Sequence, residues 1–374
     1  MKVAIMAGSL SCGGTERVIV NLADYLIECG HEVTIVTLRK AQIEYPLNPC
    51  AERILWDLTA DETKSGAVGR ISNFLARFHK LEAVWTETKP DVILSFIGKN
   101  NFMALLTSRK YSIPVAVAVR GEPNMEYYAG WMKLMSKTLF KRASKVVLQT
   151  KGQLEYFPKS IQSKAIILKN PINSAFFAEP VPFDQRQPLI VCVGRIDENK
   201  NHKMLIDAFN AIRDDFPEYK LIIYGEGELR KELLSYVKEL GASEQIDLPG
   251  NISNVAEKIR IARVFVLPSN TEGSPNTLIE AMCLGLVCIS CDSVGGGPRE
   301  LIEHEKNGLL IPVGDTAILQ DTLHNLLNDL QKMSEFSSKS LCTRAIYSRE
   351  IILDEWKTML ESLANKGKCQ EKQS

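Results

Sequence analysis

Two glutamates eight residues apart, Glu272 and Glu280, carry the clearest chemical signal in the 374-residue chain. Glu272 lies in the polar loop Ser269–Ser274, after the apolar run Val264–Leu267 and Pro268. Glu280 lies among Leu278, Ile279, Ala281 and Met282, where a carboxylate is costly to bury unless it is paired or hydrogen-bonded. Ligand hydroxyls supply such bonds; an ordinary exposed surface glutamate is the other reading. The helix start around Asn276 and Thr277 offers N–H groups to a phosphate. Arg195 and Lys200 share a second loop, Gly194–Asn201, after the apolar run beginning at Leu189. Two fixed cations at a strand end suit a diphosphate, with solvated loop charges as the alternative. Gly13 and Gly14 precede a further helix and let backbone approach a ligand, or simply make a tight turn. Lys99 follows the strand Asp91–Phe96, and Arg120 and Glu122 follow the strand Val115–Val119. Loop residues at strand ends are placed for function; a rim ion pair between Arg120 and Glu122 is the alternative.

These groups need a scaffold that brings strand ends together. Val3–Ala7, a helix Thr15–Cys29 closed by Gly30, and His31–Leu38 read as a βαβ opening, which predicts a parallel doubly wound sheet. Further strands are expected at Val146–Gln149 and Ala165–Leu168. Residues 131–147 alternate cations with Trp131, Met132, Leu134, Met135, Leu139 and Phe140. They read as a basic amphipathic helix, packed on the sheet or lying on an anionic membrane surface. Asn170–Asn173 and the spaced prolines Pro180, Pro182 and Pro188 mark a linker. The alternation then restarts: strand Leu189–Gly194, helix 203–214, strand Lys220–Tyr224, a helix opened by Gly225–Glu228, and strand Ile246–Gly250. Strand Val264–Leu267 follows, with Ser274 as N-cap and Pro275 as first residue of a helix ended by Gly285. Strand Leu286–Ser290 comes next. Helices 317–333 and 347–364, separated by a serine-rich break at Ser334–Ser338, and a polar tail 366–374 complete the chain. The expected fold class is α/β, with domains at 1–172 and 173–346 and a final segment 347–374.

Composition narrows the function classes. Hydrophobic residues make up 45% and charged residues 24%, as in an ordinary globular protein. No apolar run reaches the length of a transmembrane helix, and the N-terminus reads as a first strand rather than a secretory signal. The formal charge is zero overall, yet residues 1–172 hold a net +8 and the remainder −8. No acid occurs between Glu126 and Glu155, where Lys133, Lys137, Lys141, Arg142, Lys145 and Lys151 all fall. That half suits an anionic partner. No aromatic-interleaved basic motif accompanies it, which argues against nucleic acid. Nine scattered cysteines, an odd count, fit a reducing cytoplasm. Cys288 and Cys291 form a CxxC across a strand end with no second pair, a poor zinc or redox motif. The first loop nearly matches a phosphate-binding loop but has Gly14 where the lysine belongs. It also lacks G-x-G-x-x-G, so neither an NTPase nor a nicotinamide enzyme is supported.

Glu272-Gly-Ser-Pro-Asn-Thr-Leu-Ile-Glu280, Gly13-Gly14-Thr-Glu-Arg17, Gly194-Arg195 with Lys200, Gly225-x-Gly227 and Gly295-Gly296-Gly297 before Glu300 resemble, in this order, the retaining nucleotide-sugar glycosyltransferases with two facing Rossmann-like domains. The resemblance implies the two-domain GT-B type of fold, with parallel sheets facing across a cleft. It implies that Arg195 and Lys200 hold the donor diphosphate, and that Ser274, Pro275, Asn276 and Thr277 cap the distal phosphate through backbone. Glu280 would bond the ribose, and Glu272 would contact the transferred sugar. Ile252 would meet the base through its backbone, and Gly14 would let the first domain approach the phosphates. Gly13, Lys99, Arg120 and Glu122 are acceptor-side candidates. Many relatives carry a histidine where this chain has Arg120-Gly121-Glu122. The expected activity is hexosyl or N-acetylhexosaminyl transfer from a UDP-sugar to a glycan or lipid-linked acceptor. Neither a metal nor another cofactor is expected, and the expected location is cytoplasmic, at the inner face of the plasma membrane. A non-catalytic nucleotide-sugar-binding protein on the same fold is the alternative.

Overall fold

The computed structural model describes residues 1–11, 13–59 and 62–371. Cys12 of the first loop and the last three residues of the polar tail lie outside them. Contacts divide the chain into a first unit, Met1–Pro171 with Glu350–Ser374, and a second unit, Ile172–Arg349.

Each unit is built on a parallel sheet. In the first unit β1 (Lys2–Ala7), β2 (Glu32–Thr37), β3 (Glu52–Leu55), β4 (Val92–Phe96), β5 (Val115–Ala118), β6 (Lys145–Leu148) and β7 (Ala165–Ile167) lie in the order β3-β2-β1-β4-β5-β6-β7. In the second, β8 (Gln187–Val193), β9 (Lys220–Tyr224), β10 (Ile246–Gly250), β11 (Ala262–Leu267), β12 (Val287–Cys291) and β13 (Leu309–Ile311) lie in the order β10-β9-β8-β11-β12-β13. The strands are near-continuous apolar runs because helices cover both faces; every residue of β4 and β12 is buried. Both orders reverse beside the strand that opens the unit, between β1 and β4 and between β8 and β11. Open α/β sheets bind ligands outside the carboxyl ends of the strands at such a point. Register sharpens this: Val191 pairs with Phe265, so Val193 and Leu267 end level, and the two following loops leave side by side.

Packing of the last helix explains its place in the first unit. Arg349–Glu371 is helical, and its Trp356 is fully buried. The Trp356 ring stacks on Phe96 of β4 at 6.1 Å between centroids, and its indole N–H donates to the Lys169 carbonyl at 3.0 Å.

Several boundaries differ from the sequence reading. The basic helix spans only Gly130–Leu139, with a 3-10 turn to Arg142; pairing of Val146 and Val147 with β5 and β7 takes its expected last turn into β6. The break after the helix Thr316–Leu327 falls at Asn328–Asp329, where the Asp329 carboxylate caps the next helix, Leu330–Ser340. Ser334, Ser337 and Ser338 lie inside that second helix. Gly98–Asn101 are the first turn of the helix Gly98–Thr107 rather than a loop. Pro275, not Ser274, occupies the N-cap of the helix Asn276–Cys283. The final helix runs on past the expected end at 364 to Glu371, through Gly367. The long helix Gly66–Thr88, β3 and β13 complete the architecture.

Trp356→Ala would empty the space between the last helix and β4. The expected loss is about 3–5 kcal/mol, read from urea unfolding; a loss under about 1 kcal/mol would show that this contact does not hold the helix.

Candidate functional site

In the second unit, the loops after β8 and β11 are joined backbone to backbone. The Asn270 N–H donates to the Asn199 carbonyl at 2.8 Å, and the Asn199 and Asn270 amides reach the carbonyls of Thr271 and Glu198. This fixes the two charged groups that the loops carry. The Lys200 ammonium pairs with the Glu272 carboxylate at 2.5 Å, both largely buried. Arg195 stays exposed, its Nε donating to Asp197 at 2.5 Å. Asp197 also accepts the Lys200 N–H. Burial works against its ionisation, but the Arg195 hydrogen bond, the Lys200 amide and both cations outweigh it, so its pKa lies below the usual carboxylate value. The aliphatic stem of Lys200 lies over Gly194, at ordinary contact distance from where a Cβ would stand.

Glycines let neighbouring loops close on this core. A Cβ on Gly225 would stand 1.9 Å from the Gly194 carbonyl oxygen, and one on Gly227 2.1 Å from that of Ile196. Beyond β12, Gly295 takes φ +105° and packs against the Glu272 carbonyl. The Glu272 N–H donates to Val294, and Gly297 N–H to Glu272. Glu272 is thus held by backbone on both sides.

The helix Asn276–Cys283 starts from this loop, and no side chain caps its first turn. Its amino end therefore concentrates the positive end of the helix dipole beside Glu272 and Lys200. Glu280 lies in its interior at 2% exposure, which removes the reading of an exposed surface glutamate. The hydroxyls of Thr277, Ser269 and Ser293 are buried without partners. The far end of the helix is anchored by two arginines. Arg186 donates to the Leu284 carbonyl at 2.8 Å and Arg344 to that of Cys283 at 2.5 Å. Ile252 lies half-buried in the loop after β10.

In the first unit, the loops after β1 and β4 flank the corresponding reversal. Gly13 is the extended N-cap of the helix that starts at Gly14. Ile97 and Gly98 both take positive φ, +67° and +50°, a strained turn for the β-branched Ile97. One carboxylate secures it: Glu126 accepts the Gly98 N–H at 2.9 Å and those of Arg120 and Gly121 at 3.1 Å. Lys99 lies in the first turn of its helix, with its ammonium over the Trp131 ring. Arg120 and Glu122 do not form a rim pair. Glu122 caps the short helix Pro123–Glu126. Arg120 is buried between the rings of Phe96 and Trp356 and donates to Asn170; burial, opposed by Glu126, lowers its pKa to about 9. An aromatic sandwich satisfies the cation where a strand-end position alone suggests solvent.

Cys288 and Cys291 both belong to β12 and are buried free thiols. Three residues apart, they point to opposite faces of the strand, and burial raises both pKa values. Sequence reasoning missed Glu126, Asn199 and Asn270, whose work is to hold backbone. It also missed His202, the first residue of the helix His202–Ile212, which is buried with neither ring nitrogen partnered.

Comparison with known proteins follows the same division. A glycosyl transferase 4-like domain matches residues 13–162, and the glycosyl transferases group 1 family matches residues 174–340. The GalNAc-alpha-(1->4)-GalNAc-alpha-(1->3)-diNAcBac-PP-undecaprenol alpha-1,4-N-acetyl-D-galactosaminyltransferase of Campylobacter jejuni is 28% identical over 98% of this chain and 99% of its own. The amylovoran biosynthesis glycosyltransferase AmsD of Erwinia amylovora is 24% identical over 95% and 98%. The crystal structure of Anabaena HepE in complex with UDP superposes with a TM-score of 0.80 at 17% identity, over 97% of this chain and 100% of that one. This last likeness establishes the fold, of the GT-B type.

His202 gives the site a pH signature. Burial, reinforced by the Lys200 ammonium and opposed by Asp197, lowers its pKa to about 4. The unfolded chain takes up this proton near pH ~6.5 and the folded chain only near pH 4. Stability is therefore full above that window and falls as pH drops through it, by at most about 3 kcal/mol. His202→Asn is expected to flatten this slope in urea titrations at successive pH values; an unchanged slope would assign it to other groups.

Proposed function

Because the chain belongs to the group 1 glycosyl transferases, with a glycosyl transferase 4-like amino-terminal domain, we propose that it is a retaining, metal-independent hexosyltransferase. It moves a hexose or N-acetylhexosamine from a UDP-sugar to a glycan or lipid-diphosphate-linked acceptor in cell-surface polysaccharide biosynthesis. The observation that carries the reading is the meeting of Lys200, Glu272 and an uncapped helix start at the reversal of the second sheet. Breaking a sugar–phosphate bond leaves negative charge on the diphosphate, and cations and helix N–H groups aimed at that charge lower the barrier. Arg195 and Lys200 bind the diphosphate, and the backbone of Ser274–Thr277 binds its distal phosphate. As Lys200 turns to phosphate, the Glu272 carboxylate becomes free to accept hydrogen bonds from hydroxyls of the transferred sugar. Glu280 accepts the ribose hydroxyls, and Ile252 meets the base through its backbone. The leaving phosphate oxygen takes the acceptor proton on the same face, so no side-chain base and no cofactor is required. Gly13, Gly14, Lys99 and Glu122 serve on the acceptor side, where Arg120 acts from beneath rather than by contact.

A membrane surface fits a lipid-linked acceptor. Met125, Tyr128, Trp131 and Leu134 are exposed at three-residue steps, beside Lys133, Lys137 and Lys141. Apolar anchors flanked by cations suit an anionic bilayer surface. No described helix is long and apolar enough to cross a membrane.

Calorimetric titration with UDP in EDTA, with GDP, ADP and NAD as controls, tests the donor. UDP is expected to bind without metal, and binding of NAD alone would overturn the reading. Glu280→Ala is expected to weaken UDP binding about tenfold or more, roughly 1.4 kcal/mol. Lys200→Ala is expected to lower UDP-sugar turnover about 100-fold. Turnover unchanged in both variants would remove the site assignment; UDP binding with no transfer to any acceptor would favour the non-catalytic alternative. Trp131→Glu with Leu134→Glu is expected to reduce, without abolishing, binding to anionic vesicles in sedimentation, and undiminished binding would place the membrane contact elsewhere.

A further inference from the structure

The first unit carries a second concave site, at the edge of its sheet opposite to Gly98 and Arg120. A groove of about 650 Å³ opens there, beneath the amino ends of β5, β6 and β7. Five cations line it: Arg109, Arg142, Lys145, Lys164 and Lys366; no carboxylate does. Four serines join them, Ser108, Ser112, Ser144 and Ser163. Leu105, Val115 and Leu363 give it an apolar floor, each of them buried.

The usual explanation for basic residues at strand ends is solvation of isolated side chains, and it fits this groove poorly. Only Lys164 has structural work: its ammonium donates to the carbonyls of Lys141 and Ala143, closing the turn before β6. Among the described residues, Arg109, Arg142, Lys145 and Lys366 form no ion pair. Elsewhere in the unit cations are commonly paired, as in Arg53 with Glu44 at 2.6 Å and Arg77 with Asp57 at 2.8 Å. The same sheet edge is acidic under β2 and β3, where Glu32, Glu52 and Glu87 line a smaller recess. The positive charge is therefore local to the groove. Like charges converging on one concavity repel unless an anion neutralises them, and the low-dielectric walls focus their field on it. Arginine forks beside hydroxyls match phosphate oxygens, and the volume is that of a small-molecule site rather than a single ion's.

We infer that this groove binds a phosphate-bearing anion of at least two negative charges that also covers the apolar floor. It is a separate site from the donor site and stands whether or not the donor reading holds, since all of its residues belong to the first unit. The phosphate can come from a soluble metabolite or from an anionic lipid headgroup.

The test compares wild type, the Arg142→Glu/Lys145→Glu double variant, Arg109→Glu and Lys200→Ala, each with its melting temperature checked against wild type. Inorganic pyrophosphate is titrated by calorimetry in EDTA. Vesicles of phosphatidylglycerol are sedimented with the same proteins in the Trp131→Glu/Leu134→Glu background. Pyrophosphate binding that falls at least tenfold in both groove variants and persists in Lys200→Ala supports the site and a soluble ligand. Vesicle binding lost only in the groove variants, with no pyrophosphate binding by wild type, supports the site and a headgroup. Groove variants that match wild type in both assays overturn the inference, as does pyrophosphate binding that disappears only in Lys200→Ala.

Discussion

The ion pair between Lys200 and Glu272 ties together the loops that follow β8 and β11. Those strands are neighbours in the sheet but far apart in sequence, and nothing local forces their loops to agree. A largely buried pair does, because separating it would leave each charge desolvated without its partner. The asparagine amides and the glycine contacts of Gly225, Gly227, Gly295 and Gly297 follow from the same requirement. With side chains larger than hydrogen at those positions, the loops after β9 and β12 could not close on the two loops that carry the pair. The pair also holds a cation and a hydrogen-bond acceptor in one place at the carboxyl edge of the sheet.

The first unit solves the same positional problem with different chemistry. Its reversal lies between β1 and β4, and there a carboxylate grips backbone rather than an ammonium. Glu126 collects three N–H groups from the turns after β4 and β5. That grip offsets the strain of positive φ at Ile97 and keeps the first turn of the helix Gly98–Thr107 in place. Arg120 is then a structural cation, held between Phe96 and Trp356 and joined to Asn170. It links the last helix, the sheet and the end of the first segment of the unit, which a histidine in the same place would do with a smaller and less permanently charged ring.

Sequence reading succeeds where one local rule dominates. β9 and β10 match their expected limits because each is a short run bounded by turn residues, and Glu280 is buried, as its apolar neighbours in sequence suggest. Reading fails where tertiary contacts overrule a local rule. The pattern of residues 131–147 is helical throughout, yet strand pairing claims its end. Ser334–Ser338 looks like a break, but the cap that stops and restarts the helix is Asp329. Gly98-Lys99-Asn100-Asn101 has loop composition and becomes helical because Glu126, 25 or more residues away in sequence, accepts its first N–H. The burial of Arg120 depends on Phe96 and Trp356, and no spacing rule connects residues so distant in the chain.

The excess of cations in the first 172 residues gains meaning only when it is placed on the sheet. Paired cations such as Lys2, Arg53, Arg77 and Lys80 lie toward the β1–β3 side, each against a carboxylate. The acid-free stretch after Glu126 instead forms the helix Gly130–Leu139, its closing turn and β6, and among the described residues Lys133, Lys137, Lys141, Arg142 and Lys145 pair with no carboxylate, Lys137 lying over the Tyr156 ring. Folding concentrates this charge instead of diluting it: the helix runs antiparallel to its strands and carries the cations from one edge of the sheet to the other, toward Arg142 and Lys145. Net charge of one sign destabilises the compact state by self-repulsion. A chain whose total formal charge is zero has acids to spare for cancelling it and places them in the other unit. The segregation therefore costs stability that a simple exchange of a few lysines for glutamates would recover, and the physical return for that cost is a field directed at anions outside the chain.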